Sequence, residues 1–243
     1  VQGLWFALLW GAPFVLLVAF GLRFTSTSLA SSVTPALMPV FAGLIGWSVL
    51  RESPGRVRLA GYATIVAGLI ALLVGDANAR LSASPLGILC LVLAALTWAI
   101  YTLWFRRSHL TPLQSAALIC MWSSVLYLPA YLLLGLSRIP QASATELVIQ
   151  TIYQGVCMSV VALVAFNRAI AMLGSRAAAA IMAFVPVMAT LLAIPILDEH
   201  PSLPAGASIA VIALGVILAA MAAPTVPVTN SSHNQSVSET TRS

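Results

Sequence analysis

Gln150, Gln154 and Cys157 stand at i, i+4 and i+7 in an apolar stretch, with Tyr153 beside the second glutamine. On a helix that spacing puts the three on one face, and primary amides turned toward hydrocarbon lose their hydrogen bonds to water. Such a face is expected to look into protein or water. Either Gln154, nearer the middle of the stretch, lines a cavity, or the amides tie helices together; Gln150, near the outer end, reads as packing. In another apolar run Trp98 and Tyr101 lie at i and i+3 and make an aromatic face with a polar rim. That face would stack a planar ligand or simply pack. With Trp10 and Thr97 added, the candidates for a substrate cavity are Trp10, Thr97, Trp98, Tyr101, Tyr153 and Gln154. Trp5 and Trp104 sit near the ends of apolar runs, where an interfacial aromatic belt accounts for them.

Other chemistries lack their parts. Cys90, Cys120 and Cys157 lie in apolar runs without CxxC spacing, so they read as buried thiols, and neither a metal nor a cofactor is expected. No HExxH, GxSxG or phosphate-binding glycine loop is present, and no catalytic residue is assigned. No Asp, Glu, Lys or Arg falls near the middle of an apolar run, so no coupling acid stands out. Pro39 and Pro186 do interrupt such runs, each removing one backbone hydrogen bond, and they are candidate hinges or structural kinks. Glu52 and Glu199 follow the ends of those same runs and read as solvated anchors.

The elements that must carry these residues are membrane helices. Of 243 residues 60% are hydrophobic and 7% charged, with mean hydropathy +1.02, whereas about a quarter of an ordinary soluble chain is charged. Lipid is the solvent that tolerates such an exterior. Eight stretches are long enough to span as helices: 2–22, 28–50, 59–75, 85–105, 112–134, 147–167, 177–197 and 203–223. The fold expected is an all-α polytopic membrane protein. The net charge of +5 comes from 11 arginines set in the connectors, which argues for topology signals and against nucleic acid. Alternating sides receive eight and three of them, which predicts that both termini are cytoplasmic. Residues 224–243, rich in Ser, Thr, Asn and Pro, read as a disordered tail.

The chain also matches itself. Residues 24–75 set against 171–222, an offset of 147, are identical at 15 of 52 positions. Pro39 meets Pro186, Glu52 meets Glu199, Pro54 meets Pro201 and Gly68 meets Gly215. Glu52 ends a helix on the arginine-rich side and Glu199 on the arginine-poor side, so the copies point in opposite directions. Inverted repeats of this kind build many secondary transporters, with the site near the midplane between the halves. The units are 1–76, holding the last three helices of five, and 84–223, holding all five. By this register two further helices, within about sixty residues upstream of Val1, are expected.

These residues resemble the drug/metabolite transporter superfamily, specifically an EamA-type permease of ten helices. The resemblance runs from Leu8 to Ala222 and rests on Ala7-Leu8-Leu9-Trp10-Gly11, Ser28-Leu29-Ala30 through Pro35 and Pro39, and Arg51-Glu52. In the second unit it rests on residues 94–101 from Ala94 to Tyr101, on Phe166-Asn167-Arg168-Ala169, Leu173-Gly174-Ser175, Pro186 and Glu199. It implies a non-enzymatic protein of the bacterial inner membrane that exports small metabolites or drugs, with lipid and a small-molecule substrate as partners. Whether two copies pair is open. A truncated protein needing a partner and an intramembrane enzyme are the alternatives. If Pro39 and Pro186 are hinges, leucine at either slows turnover by about tenfold, ~1.4 kcal/mol on the barrier, with little change in substrate binding. Unchanged turnover in reconstituted vesicles would assign both prolines to packing.

Overall fold

The apolar runs become helices where breakers and caps delimit them. The computed structural model describes residues 2–50, 54–75, 83–135, 139–169, 171–172, 184–197 and 202–221. Helices α1 (Gln2–Trp10) and α2 (Ala12–Arg23) make the first span, followed by α3 (Thr27–Leu50), α4 (Arg56–Gly75), α5 (Pro85–Arg107) and α6 (Pro112–Leu133). A short 3-10 turn (Ile139–Gln141) leads to α7 (Ala144–Gln150), which continues as a π-helix over Thr151–Ala162 and returns to α-helix through 163–169. Then come α8 (Phe184–Leu197) and α9 (Leu203–Met221). No strand occurs among the described residues. Among the described residues, seven helices are long and apolar enough to cross a membrane. Of the span expected at 177–197 only α8 is described, and its 14 residues are too few to cross alone. The chain is an all-α polytopic membrane protein, as its composition requires.

Helix starts follow local chemistry. Pro85 and Pro112 stand in the first turn of α5 and α6, where a missing N–H costs nothing. Thr111 and Gln114 close a reciprocal capping box at α6, with the Thr111 N–H donating to Gln114 Oε1 at 2.9 Å. Ser143 and Glu146 do the same at α7.

The first span is not one continuous helix. Gly11 leaves helical geometry at φ −101° and ψ −139°, and Pro13 follows in the first turn of α2. The Ala12 N–H, freed by the break, donates to Ser123 Oγ of α6 at 3.2 Å. A Cβ on Gly11 would collide with that hydroxyl. Glycine is therefore required for α6 to come close enough to satisfy the break.

The closest backbone approach joins α4 to α9. A Cβ on Gly215 would stand 2.7 Å from the Ile65 N and 3.0 Å from the Gly61 O. A Cβ on Gly68 would stand 2.7 Å from Ile212 Cγ1. The two contacts mirror each other, because Ile65 and Gly68 correspond to Ile212 and Gly215 at the offset of 147. Around this pair lies one core, with Leu29, Val33, Ala36 and Val40 of α3 and Leu91 of α5 packed on Ile65, Leu72, Ile212 and Val216. A second core gathers Phe6, Met38, Trp98, Tyr101, Ile119 and Leu163 from five different spans. Gly215→Ala should cost ~1–3 kcal/mol, because its neighbours are backbone and cannot rotate away. Gly206→Ala on the same helix, with nothing within 4 Å of the added carbon, is the control. Equal thermal midpoints for the two variants in detergent micelles would refute the close-approach account.

Candidate functional site

Three elements turn aromatic stripes toward one another. Helix α5 carries Trp98, Tyr101, Thr102 and Phe105 at i, i+3, i+4 and i+7, all buried. The first span carries Phe6, Trp10 and Phe14 at i, i+4 and i+8, on one side despite the break at Gly11. The end of the sixth span, Ala144–Ala169, adds Leu163, Phe166 and Asn167. Trp10 is the hub: its ring centroid lies 4.6 Å from Tyr101, 5.1 Å from Phe166 and 5.6 Å from Trp98, on which it stacks with planes 15° apart. Trp98 also meets Phe166 at 5.5 Å and Phe14 at 5.9 Å. Phe6 abuts Tyr101 edge-on at 5.2 Å. Trp10, Phe14 and Phe166 are half-buried.

Beneath the rings lies a short polar chain. The Tyr101 hydroxyl donates to Asn167 Oδ1 at 3.0 Å and is 2.9 Å from Ser115 Oγ of α6. A phenol has one proton, and it is spent on Asn167, so the Ser115 hydroxyl is the donor in the second bond. Tyr101, Asn167 and Ser115 are all fully buried. The chain therefore ends on the Asn167 amide N–H groups, and among the described residues Asn167 Nδ2 has no hydrogen-bond partner. Neither has Trp98 Nε1. Buried donors are almost always paired, so two orphans in one cluster call for an explanation. Among the described residues no three His, Cys, Asp or Glu side chains gather where a metal could sit.

Of the residues singled out by sequence, Trp10, Trp98 and Tyr101 come together here. Thr97 is half-buried on the next position of α5, its hydroxyl folded back onto the Ala94 O at 2.9 Å. Tyr153 and Gln154 lie in the π-helical part of the sixth span, exposed and apart from the cluster. Pro39 lies within α3, half-buried and next to Met38 of the cluster. Pro186 is buried in α8, its carbonyl accepting from Thr190 Oγ1 at 2.8 Å. Glu52 and Glu199 lie outside the described residues. Trp5 and Trp104 meet edge-on at 6.2 Å, about half exposed, as an interfacial pair would be. Ser115 and Asn167 gave little warning: a serine in a helix is unremarkable, and the one signal was an asparagine inside an apolar span.

A bundle of apolar spans around a sequestered aromatic and amide cluster defines a polytopic membrane protein. The EamA-like transporter family model matches residues 85–221, more than half of the chain, and the chain belongs to that family. Its members are small-molecule transporters rather than enzymes. A crystal structure shares the fold with a TM-score of 0.57 at 18% identity, over 86% of this chain and 73% of that one. No curated protein matches. Tyr101→Phe would strand the Ser115 hydroxyl and Asn167 Oδ1, and should cost ~1–3 kcal/mol of stability in micelles. An unaltered thermal midpoint would mean that the polar chain holds nothing together.

Proposed function

We propose that this chain is a secondary transporter of the bacterial inner membrane that exports small metabolites or drugs. It alternates access between two inverted units, 1–76 and 84–223, with both termini in the cytoplasm. The observation that carries the reading is the make-up of the aromatic cluster. Phe6, Trp10, Phe14 and Met38 come from the first unit, and Trp98, Tyr101, Phe166 and Asn167 from the second. A ligand held there touches both halves, and rocking one half against the other would expose it to each side in turn. The mirrored contacts Gly68 with Ile212 and Gly215 with Ile65 support the same division, since paired contacts of this kind are what a two-fold axis between the units would produce. Pro39 and Pro186 then fall at matching places in α3 and α8, helices that pack on each other.

The reading is tested by flux. Purified chain in vesicles loaded with a panel of radiolabelled aromatic metabolites should speed the loss of some members over protein-free vesicles. Trp10→Ala or Trp98→Ala should lower that flux by about tenfold, the worth of one aromatic contact with the moving ligand, while membrane insertion stays normal. Gln154→Ala, away from the cluster, should leave it intact. If no panel member moves faster than in empty vesicles, or if Gln154→Ala is the damaging change, the cluster is not the route.

A further inference from the structure

We infer that the ligand of the aromatic cluster is an uncharged, planar aromatic molecule whose polar edge carries hydrogen-bond acceptors, carbonyls above all. The inference deepens the transporter reading and rests on it for the cluster being the substrate site. Hydrogen-bond polarity is the first ground. The chain Ser115 to Tyr101 to Asn167 runs donor to acceptor and ends on an amide whose oxygen is already occupied. The free end is the Asn167 Nδ2, and the other orphan, Trp98 Nε1, is an indole nitrogen that can only donate. Trp98 is 9% exposed and Asn167 is 0% exposed, so solvent does not satisfy either from outside. Two donors with no acceptor of their own select a ligand that supplies acceptors.

Charge is the second ground. The single carboxylate among the described residues is Glu146, exposed at the start of α7 and tied to Ser143. Among the described residues, then, nothing acidic stands in the cluster to hold a cation. Arg168 follows Asn167 in the chain, but it lies roughly 100° further round the helix and is exposed. An anion would also lack its counter-charge. An anion would lose its hydration without compensation, and a cation would find only ring faces and leave both N–H donors unpaired, whereas a neutral ligand with carbonyl acceptors loses little and supplies what the donors lack.

Shape is the third. Trp10 and Trp98 lie nearly parallel, and Phe166 closes against both. Flat faces of this kind stack flat ligands. In the present arrangement the rings rest on one another and seal the donors. Binding parts the half-buried Trp10 and Phe166 from Trp98, and the unmade hydrogen bonds favour the opened form once an acceptor arrives.

Titration calorimetry on the full chain in detergent micelles tests the inference without any need for flux. Three small aromatic probes are used: caffeine (planar and neutral, with carbonyl and imine acceptors and no donor), indole (planar and neutral, a donor only) and benzyltrimethylammonium (aromatic and cationic). Caffeine should give saturable heat absent from empty micelles and bind about tenfold tighter than either other probe, the worth of one or two hydrogen bonds. Trp98→Phe keeps a ring and removes the N–H, so it should weaken caffeine about tenfold more than it weakens indole. Should that variant not fold, the ranking of the three probes on the unmodified chain decides the matter. Benzyltrimethylammonium binding tightest would make the site a cation cage and overturn the inference. So would equal affinities for caffeine and indole, or an absence of caffeine heat, which would mean that trapped water alone serves the donors. Caffeine binding as expected without vesicle flux would remove the transporter reading and leave the ligand class supported. Flux of panel compounds without caffeine preference would do the reverse.

Discussion

The contact between α4 and α9 is the constraint on which the rest of the bundle depends. Helices in lipid gain nothing from hiding apolar side chains, because the surrounding tails are equally apolar; close backbone approach supplies the attraction instead. Gly61, Gly68 and Gly215 make that approach possible. Helix α3 lies against this pair through Leu29, Val33, Ala36 and Val40, while Met38, Phe41 and Ala42 reach the second core. One helix thus ties the glycine contact to the aromatic cluster. Tyr62 of α4 tucks its ring against Gly43 of α3, so the placement of α3 follows from the same use of small residues.

The same solvent sets the terms for polar groups. Hydroxyls within the spans are mostly turned back onto their own helices: Thr64 onto the Ala60 O, Thr102 onto the Trp98 O, Ser208 onto the Pro204 O. Such bonds satisfy the side chain locally and commit it to nothing else. Tyr101, Ser115 and Asn167 are different, since their partners lie on other helices and the bonds join α5, α6 and the sixth span. Leaving Trp98 Nε1 and Asn167 Nδ2 unpaired in that setting is costly, and ordinary packing does not require it. That cost is the ground on which the cluster is proposed as the ligand site.

Two spans depart from the regular α-helix, and they answer the demand for satisfied backbone in different ways. The first breaks at Gly11 and borrows a side-chain acceptor, Ser123, from α6. The sixth keeps its bonds within the chain but winds them wider over Thr151–Ala162. At the offset of 147, Gly11 corresponds to Met158, inside that π-helical segment. Both irregular spans contribute rings to the cluster.

Much of the architecture was legible in the residues. Composition required a lipid solvent, run lengths set the spans, and the spacing of Trp98 and Tyr101 put them on one face. These properties belong to single helices, and a helix's period and length are local. The sequence could not say which helix meets which, or how far each is turned about its axis. Gln154 therefore drew attention as an amide in an apolar span, yet its span is turned so that Asn167 is the amide that enters the cluster. The break at Gly11 was hidden as well, because its acceptor, Ser123, lies more than a hundred residues away. By itself the sequence determined the lipid-facing, all-helical character of the chain, the number of apolar runs and the repeat within them. The tertiary structure decided which donors found acceptors, because a hydrogen bond between helices depends on their mutual distance and rotation, and neither is encoded in the period of one helix alone.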